Sequence, residues 1–218
     1  MSDIGMGGPD AAGWIKRLGM TPSGVGGWFA PAMVSKEAIP GAALPSRFGG
    51  ADHPLYSSNW YLLEAGEVLQ LHTLKQDELW FFHLGAPIRL HVFSGEDGYA
   101  ETVFGPDPDA GQVLHGAAPH STWFGAELAG PGFALVSCSL SPGYEPADSA
   151  KPTEEQVAAL VAGFPAQAEL IRRLAAGGRS TGDRSKGGRS AGEELAEGQF
   201  IDDQLADDQL AGGRFTVQ

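Results

Sequence analysis

"GEVLQLHTLKQDELWFFHLG", from Gly66 to Gly85, is the stretch on which the reading of this chain turns. Two apolar runs flank the short segment "LKQ", and each run alternates in the manner of strands rather than helices. Alternation puts Val68, Gln70 and His72 on one face of the first run, opposite Leu69, Leu71 and Thr73. In the second run Glu78, Trp80, Phe82 and Leu84 share a face, opposite Asp77, Leu79, Phe81 and His83. Both faces of that run are largely apolar, which predicts a strand held between two layers. A hairpin joining the runs would bring His72 and Glu78 to one side. A carboxylate beside an imidazole can fix its tautomer, share a divalent ion or move a proton. The same spacing also suits a surface hydrogen bond or two strands of a plain core.

Working outward, similar short runs recur: "SSNWYLLE", "IRLHVF", "YAETVF", "GQVLHGAA", "STWFGAEL" and "FALVSCSL". Turn signals separate them, and no helix of about 10 to 12 residues intervenes, so the body is all-β, a barrel or sandwich, without βαβ units. Residues 56–145 are read as this barrel. Residues 1–55 are read as an arm packing on it, with a helix over Ala11 to Leu18 ending at Gly19 and a loop-rich remainder in which proline and glycine interrupt every further helix. Residues 146–176 are read as C-terminal helices: Thr153 and Gln156 form a capping box, Val157, Leu160, Val161 and Phe164 follow at helical spacing, and Pro165 separates a second helix. Residues 177–218, with "GGRS" and "DDQLA" each repeated, are read as a disordered acidic tail.

The 218 residues carry a net charge of -13, which disfavours nucleic acid and anionic membrane surfaces as partners. No apolar run approaches the roughly 18 residues of a membrane span, and the first residues lack the order of a signal peptide. The single Cys138 fits a reducing compartment, so the expected location is cytoplasmic. Its strand neighbours Ala134 and Val136 mark it as a small core residue. Trp60, Gln70, Trp80 and Trp123 are the expected walls of a ligand pocket around His72, because small-molecule sites combine aromatic surface with a few polar groups.

The glycine framing resembles the first cupin motif: glycine, five residues, His-x-His, three or four residues, glutamate, six residues, glycine. Gly66, His72, Glu78 and Gly85 match it, and Leu74 stands where a metal-binding cupin has its second histidine. "GQVLHGAAPHSTWF" resembles the second motif with Pro119 in place, Ser121 for the glycine and Phe124 for the last metal histidine. Over residues 12 to about 175 the chain is also similar to an uncharacterised subgroup of small cupins. "WIKRLGM…GGWF", "LHTLKQDELWFF", "PHSTWFGAEL" and "ALVSCSLSPGYE" follow in the order of that subgroup's "LIERLGL…GGYF", "FHRLKSDEIWHF", "PAGTWFAAEL" and "ALVGCTVAPGFE". The resemblance implies a double-stranded β-helix, or jelly-roll, barrel that is a homodimer. Two departures bear on chemistry. Ser23 and Val25 replace a histidine and a glutamate of the subgroup, while His115 and His120 stand where relatives more often have Gln and Ala.

A zinc or iron site usually takes three protein ligands. Leu74 and Phe124 remove two standard positions, so His91, His115 or His120 would have to join His72 and Glu78. The expectation is therefore no metal and no other cofactor. What remains is acid–base chemistry on a small polar or carbonyl-containing metabolite, of isomerase, epimerase, cyclase or lyase type. In it His72 is the base, oriented by Glu78 or Asp77, and Tyr61, Tyr99 or His120 is the acid. Gln70, Trp60, Trp80, His91, His115, His120 and Trp123 contact the ligand. A non-catalytic binding barrel and a metal-dependent oxygenase with non-standard ligands are the alternatives. Arg89 is the barrel's only arginine, so a nucleotide-sugar substrate lacks its anchor.

Overall fold

The structure, a computed structural model, describes residues 8–177. The expected tail, from residue 178 on, and the glycine-rich tip up to residue 7 lie outside the described residues. Helix α1 (Ala11–Leu18) starts where the Asp10 side chain accepts a hydrogen bond from the Gly13 N–H, and ends at Gly19 in the left-handed conformation. Thirteen strands follow in the described residues. The arm contributes β1 (Thr21–Pro22), β2 (Trp28–Val34), β3 (Ala38–Ile39) and β4 (His53–Pro54). The body has β5 (Ser57–Glu64), β6 (Val68–Leu74), β7 (Glu78–Gly85), β8 (Ile88–Ser94), β9 (Gly98–Phe104), β10 (His115–Ala118), β11 (Trp123–Leu128), β12 (Phe133–Leu140) and β13 (Ser149–Ala150). Helices α2 (Glu154–Gly163) and α3 (Ala168–Ala176) close the described chain, and the Thr153–Gln156 capping box of α2 is reciprocal.

All pairings between these strands are antiparallel. One sheet has the order β1-β2-β5-β12-β7-β10, the other β13-β6-β11-β8-β9, and β3 pairs only with β4. The sheets enclose one core that includes Tyr61, Trp80, Ile88, Phe104, Phe124 and Val136, which makes the body the expected jelly roll. Cys138 lies in this core with Ala134 and Val136, as expected. Helices α2 and α3 cover the outer face of the five-stranded sheet through Ile171 and Leu174, which pack on Val68, Leu71 and Phe93. Helix α1 covers part of the other outer face, where Trp14, Ile15 and Leu18 lie over Leu62 and Leu135. No helix among the described residues is long and apolar enough to cross a membrane.

Four expectations change. The arm is not only loop: β2 joins the six-stranded sheet by pairing with β5 from Trp28↔Leu62 to Val34↔Ser57. Pro31 is accommodated because β1 pairs only with Trp28 and Phe29, leaving that part of β2 as an edge. Second, β6 and β7 form no hairpin. The residues between them carry the chain from one sheet to the other, so His72 and Glu78 come from opposite walls.

Third, strict alternation fails in both strands of the quoted stretch. Phe124 pairs with His72 and Ala126 with Leu69, so three steps on β6 oppose two on β11. The extra residue is a bulge at Gln70, whose N–H donates to Val25 O instead of to the ladder. Leu69, His72 and Leu74 therefore face inward, while Val68, Gln70 and Leu71 face out. In β7 a second bulge at His83 turns Leu84 outward, under α1, away from Phe82. Fourth, β7 is not held between two layers: Trp80 is 1% exposed, but Leu79 and Phe81 on its outer face are 44% and 37% exposed.

Candidate functional site

The barrel interior is lined by apolar side chains, and His72 and Glu78 are the ionisable groups of the cupin motif that enter it. They flank the connection 75–77, so both lie at the same end of the barrel. The bulge in β6 aims His72 inward, where its ring lies 4.2 Å from that of Phe124. Its Nδ1 is 2.8 Å from the Gln70 carbonyl oxygen. A carbonyl only accepts, so Nδ1 carries the hydrogen and Nε2 presents a lone pair. Nε2 has no hydrogen-bond partner among the described residues. Burial pushes the His72 pKa down to about 4, against the raising effect of the Gln70 carbonyl and with help from the Lys151 ammonium. The ring is neutral at any physiological pH.

Glu78 opens β7, and its Oε2 accepts the indole N–H of Trp80 at 2.8 Å. Burial raises its pKa to about 7, and the Trp80 hydrogen bond only partly offsets this. The charge of Glu78 is felt by Tyr61, Cys138 and Tyr144, each of whose pKa values is raised chiefly by burial. Tyr61 donates its hydroxyl to Gly26 O at 2.9 Å. The segment carrying Gly26 packs on the barrel: Val25 lies against its core, and a Cβ on Gly26, at φ +90°, would overlap the Val68 carbonyl oxygen. The position where the subgroup has a glutamate thus adds an apolar group to the barrel here.

The other expected site residues are not gathered around His72. Trp60 lies on the outer face of the six-stranded sheet, its ring 5.1 Å from that of His83. Gln70, turned out by the bulge, accepts from Lys151 Nζ at 2.9 Å. Trp123 packs on the outer face of the five-stranded sheet beneath the helices. Trp80 alone of the pocket walls is interior, stacked on Phe104 with 5.8 Å between ring centroids. His91 lies on the outer side with Tyr99, 3.0 Å from its hydroxyl, so neither residue reaches the interior. His115 is exposed and stacked on Phe81. His120 is at the surface, 2.8 Å from Asp77 Oδ1, so Asp77 orients His120 and not His72. The physical cause is common to all: each strand has an inner and an outer face, and residue type does not tell them apart.

Two features escaped sequence reasoning. Tyr144 packs against the barrel core near Glu78, from a segment with no strand pattern. Beside the 75–77 connection, buried Asp148 accepts from Gln76 Nε2 at 2.6 Å and lies 3.1 Å from His53 Nε2 and 3.3 Å from Lys75 Nζ. His53 Nδ1 faces Ala51 O at 2.9 Å, so both ring nitrogens of this buried imidazole have polar partners. Asp148 also borders a cleft of about 350 Å³ with Leu74, Lys75, Ser121 and Trp123.

Among the described residues no group of three His, Cys, Asp or Glu side chains is placed to hold a metal ion. Leu74 and Phe124, both buried in the core, occupy inward positions where further ligands would stand. Two donors from opposite walls do not fit a zinc- or iron-type site.

A family model described as "Cupin superfamily (DUF985)" matches residues 12–151. Among solved structures, a hypothetical protein from Leishmania major is 26% identical, with a TM-score of 0.67, covering 77% of this chain and 99% of its own. A protein from Shewanella oneidensis is 29% identical, with a TM-score of 0.66, covering 77% of this chain and 98% of its own. No curated protein matches the chain.

Proposed function

The chain belongs to the cupin superfamily, in its DUF985 family. We propose that its barrel carries out acid–base chemistry without a metal on a small carbonyl-containing or polar metabolite. The reaction class is isomerase, epimerase, cyclase or lyase. One observation carries this reading: a carboxyl group with a pKa of about 7, Glu78, is buried in an apolar barrel at the same end as a neutral imidazole with an unpartnered Nε2, His72.

The tuning of the two groups exchanges the roles expected from residue type. A group with a pKa near neutrality is the effective proton carrier, because it is both available and strong enough. Glu78 therefore takes a proton from the carbon next to a carbonyl and returns it from its own neutral form. His72, whose pKa lies near 4, stays neutral, and its Nε2 accepts a hydrogen bond from a substrate O–H or N–H. Trp80 holds the Glu78 carboxylate in position through its indole N–H. Bulky interior side chains such as Trp80, Phe104 and Phe124 restrict the ligand to a small molecule at this end of the barrel. The net charge of -13 argues against nucleic acid or an anionic membrane as partner.

The test uses solvent exchange, which registers removal of a carbon-bound proton whatever the final product. The full chain is incubated in D2O with a panel of small ketones, aldehydes and hydroxy acids, and deuterium at carbon is read by mass spectrometry. We expect incorporation into at least one compound, reduced by roughly 10²-fold or more in Glu78→Gln and less in His72→Gln. No incorporation across the panel while a compound still binds would favour the non-catalytic barrel. Incorporation indifferent to Glu78→Gln would sink the assignment.

A further inference from the structure

Residues 141–148 join β12 to β13, and the pairing of those two strands fixes where the connection runs. Leu140, the last residue of β12, pairs with Glu78; Ser149, the first of β13, pairs with Leu74, two residues on from His72. The connection therefore leaves one wall of the barrel beside Glu78 and reaches the other wall at the end of β6 that carries His72. It crosses the same end of the barrel as the 75–77 connection. Its one aromatic side chain, Tyr144, packs against the interior core. The crossing is pinned around that ring: the Gly143 N–H donates to Pro54 O at 2.7 Å, the Tyr144 N–H to Ser57 Oγ at 2.9 Å, and Gln76 Nε2 to Gly143 O at 3.2 Å. A Cβ at Gly143 would come within 2.8 Å of Pro54 Cβ, so the backbone lies too close to β4 for a side chain there.

The donors already placed in the barrel leave one task unfilled. Removing a proton beside a carbonyl puts negative charge on the carbonyl oxygen, and a positioned donor must meet it. The His72 Nδ1 hydrogen goes to Gln70 O, the Tyr61 hydroxyl to Gly26 O and the Trp80 N–H to Glu78. Cys138 offers only a weakly donating thiol. The polar partner of the Tyr144 hydroxyl is the Ser149 side chain, which can itself donate, so the phenol hydrogen is not tied to a fixed acceptor. Burial, and after it the charge of Asp148, raises the Tyr144 pKa and keeps that hydrogen in place at neutral pH.

We propose that Tyr144 is a third catalytic residue of this site, donating its hydroxyl hydrogen bond to the substrate's carbonyl oxygen, and that the substrate is an α-hydroxy ketone or α-hydroxy aldehyde. The proposal rests on the roles given above to Glu78 and His72. Glu78 takes the proton from the carbon beside the carbonyl. The C–H electron pair becomes a C=C bond, and the carbonyl π pair moves onto oxygen, where the Tyr144 O–H meets it. The reverse shifts return the proton from Glu78 to carbon, so no oxidant, reductant or second substrate is consumed. His72 Nε2 only accepts, so the ligand must also bring a donor. A hydroxyl on the carbon next to the carbonyl supplies it within one small molecule. Simple ketones leave Nε2 unpaired in an apolar barrel, which selects against them.

Deuterium uptake at carbon in D2O, measured for the full chain with hydroxyacetone and glycolaldehyde against acetone and acetaldehyde, tests this. The wild type is expected to exchange the hydroxy compounds roughly 10²-fold faster or more. Tyr144→Phe keeps the packed ring and removes the donor. It should lose roughly 10²- to 10³-fold in kcat with KM changed by less than about threefold, because the donor acts on charge that develops only in the transition state. Ser149→Ala, which touches no substrate, should leave exchange little changed. If circular dichroism shows that Tyr144→Phe does not fold, Tyr144→Phe with Ser149→Ala removes the same hydroxyl without stranding the serine. Exchange that survives the loss of the Tyr144 hydroxyl but not Glu78→Gln overturns the role of Tyr144 and leaves that of Glu78 standing. Equal exchange of hydroxy and simple compounds, or exchange confined to other carbonyl compounds, overturns the substrate class. No exchange with any carbonyl compound overturns the acid–base reading itself, and this proposal with it.

Discussion

The indole N–H of Trp80 donates to Glu78 Oε2 at 2.8 Å, two residues along the same inner face of β7. It is the one hydrogen bond that the Glu78 carboxyl makes to a side chain among the described residues, and it is not enough to keep that carboxyl an ordinary acid. Facing it across the barrel, the His72 imidazole is shifted in the opposite sense by the same burial. Desolvation penalises whichever form is charged, so it raises the acid and lowers the base.

Opposed shifts give opposed pH dependences of stability. Glu78 rises from 4.5 to about 7 on folding, so its contribution is full below pH 4.5 and is lost as pH rises through about 7. His72 falls from 6.5 to about 4, so its contribution is full above pH 6.5 and is lost as pH drops through about 4. At about 1.4 kcal/mol per pKa unit, each amounts to about 3 kcal/mol. Between pH 4.5 and 6.5 the two slopes cancel in the wild type. Relative to wild type, Glu78→Gln should gain stability as pH rises through that window, and His72→Gln should lose it. Urea unfolding at several pH values checks this, and two variants with the same slope as wild type would refute the shifts.

Asp148→Ala should destabilise the fold by about 3 to 5 kcal/mol, because it strands the buried His53 and Gln76 side chains without their shared acceptor. Asp148→Asn retains one acceptor and should lose less. Thermal unfolding followed by circular dichroism ranks the two. A drop below about 1 kcal/mol for Asp148→Ala would mean that the cluster does not tie the 75–77 connection to the segment before β13.

The two glycines that frame the motif are required for different reasons. Gly66 has φ +89° with open space around it, so Gly66→Ala should cost about 1 to 3 kcal/mol, from backbone strain alone. At Gly85, φ is +103° and a Cβ would also overlap the Phe133 carbonyl oxygen, so Gly85→Ala should cost more. Equal losses in chemical denaturation would contradict this ordering.

Much of the fold was legible in the chain. The strands "SSNWYLLE" and "FALVSCSL" coincide with β5 and β12, the α1 cap falls at Gly19, and Thr153 and Gln156 make the capping box of α2. These are local signals, carried by side chains and backbone within a few residues of each other. The strand β2 was hidden because "WFAPAMV" holds a proline that only an edge position tolerates.

By itself the sequence determined the motif spacing from Gly66 to Gly85, the jelly-roll class and the presence of His72 and Glu78 near one connection. Which side chains share a compartment was decided by the tertiary structure. Bulges at Gln70 and His83 shift the alternation, yet a bulge is defined by the partner strand, which lies far away in the chain. Trp60, Trp80 and Trp123 read alike as residues, but pairing places only Trp80 inside. The pKa values of His72 and Glu78 likewise follow from the walls that surround them, since burial is a property of the assembled barrel and not of either residue.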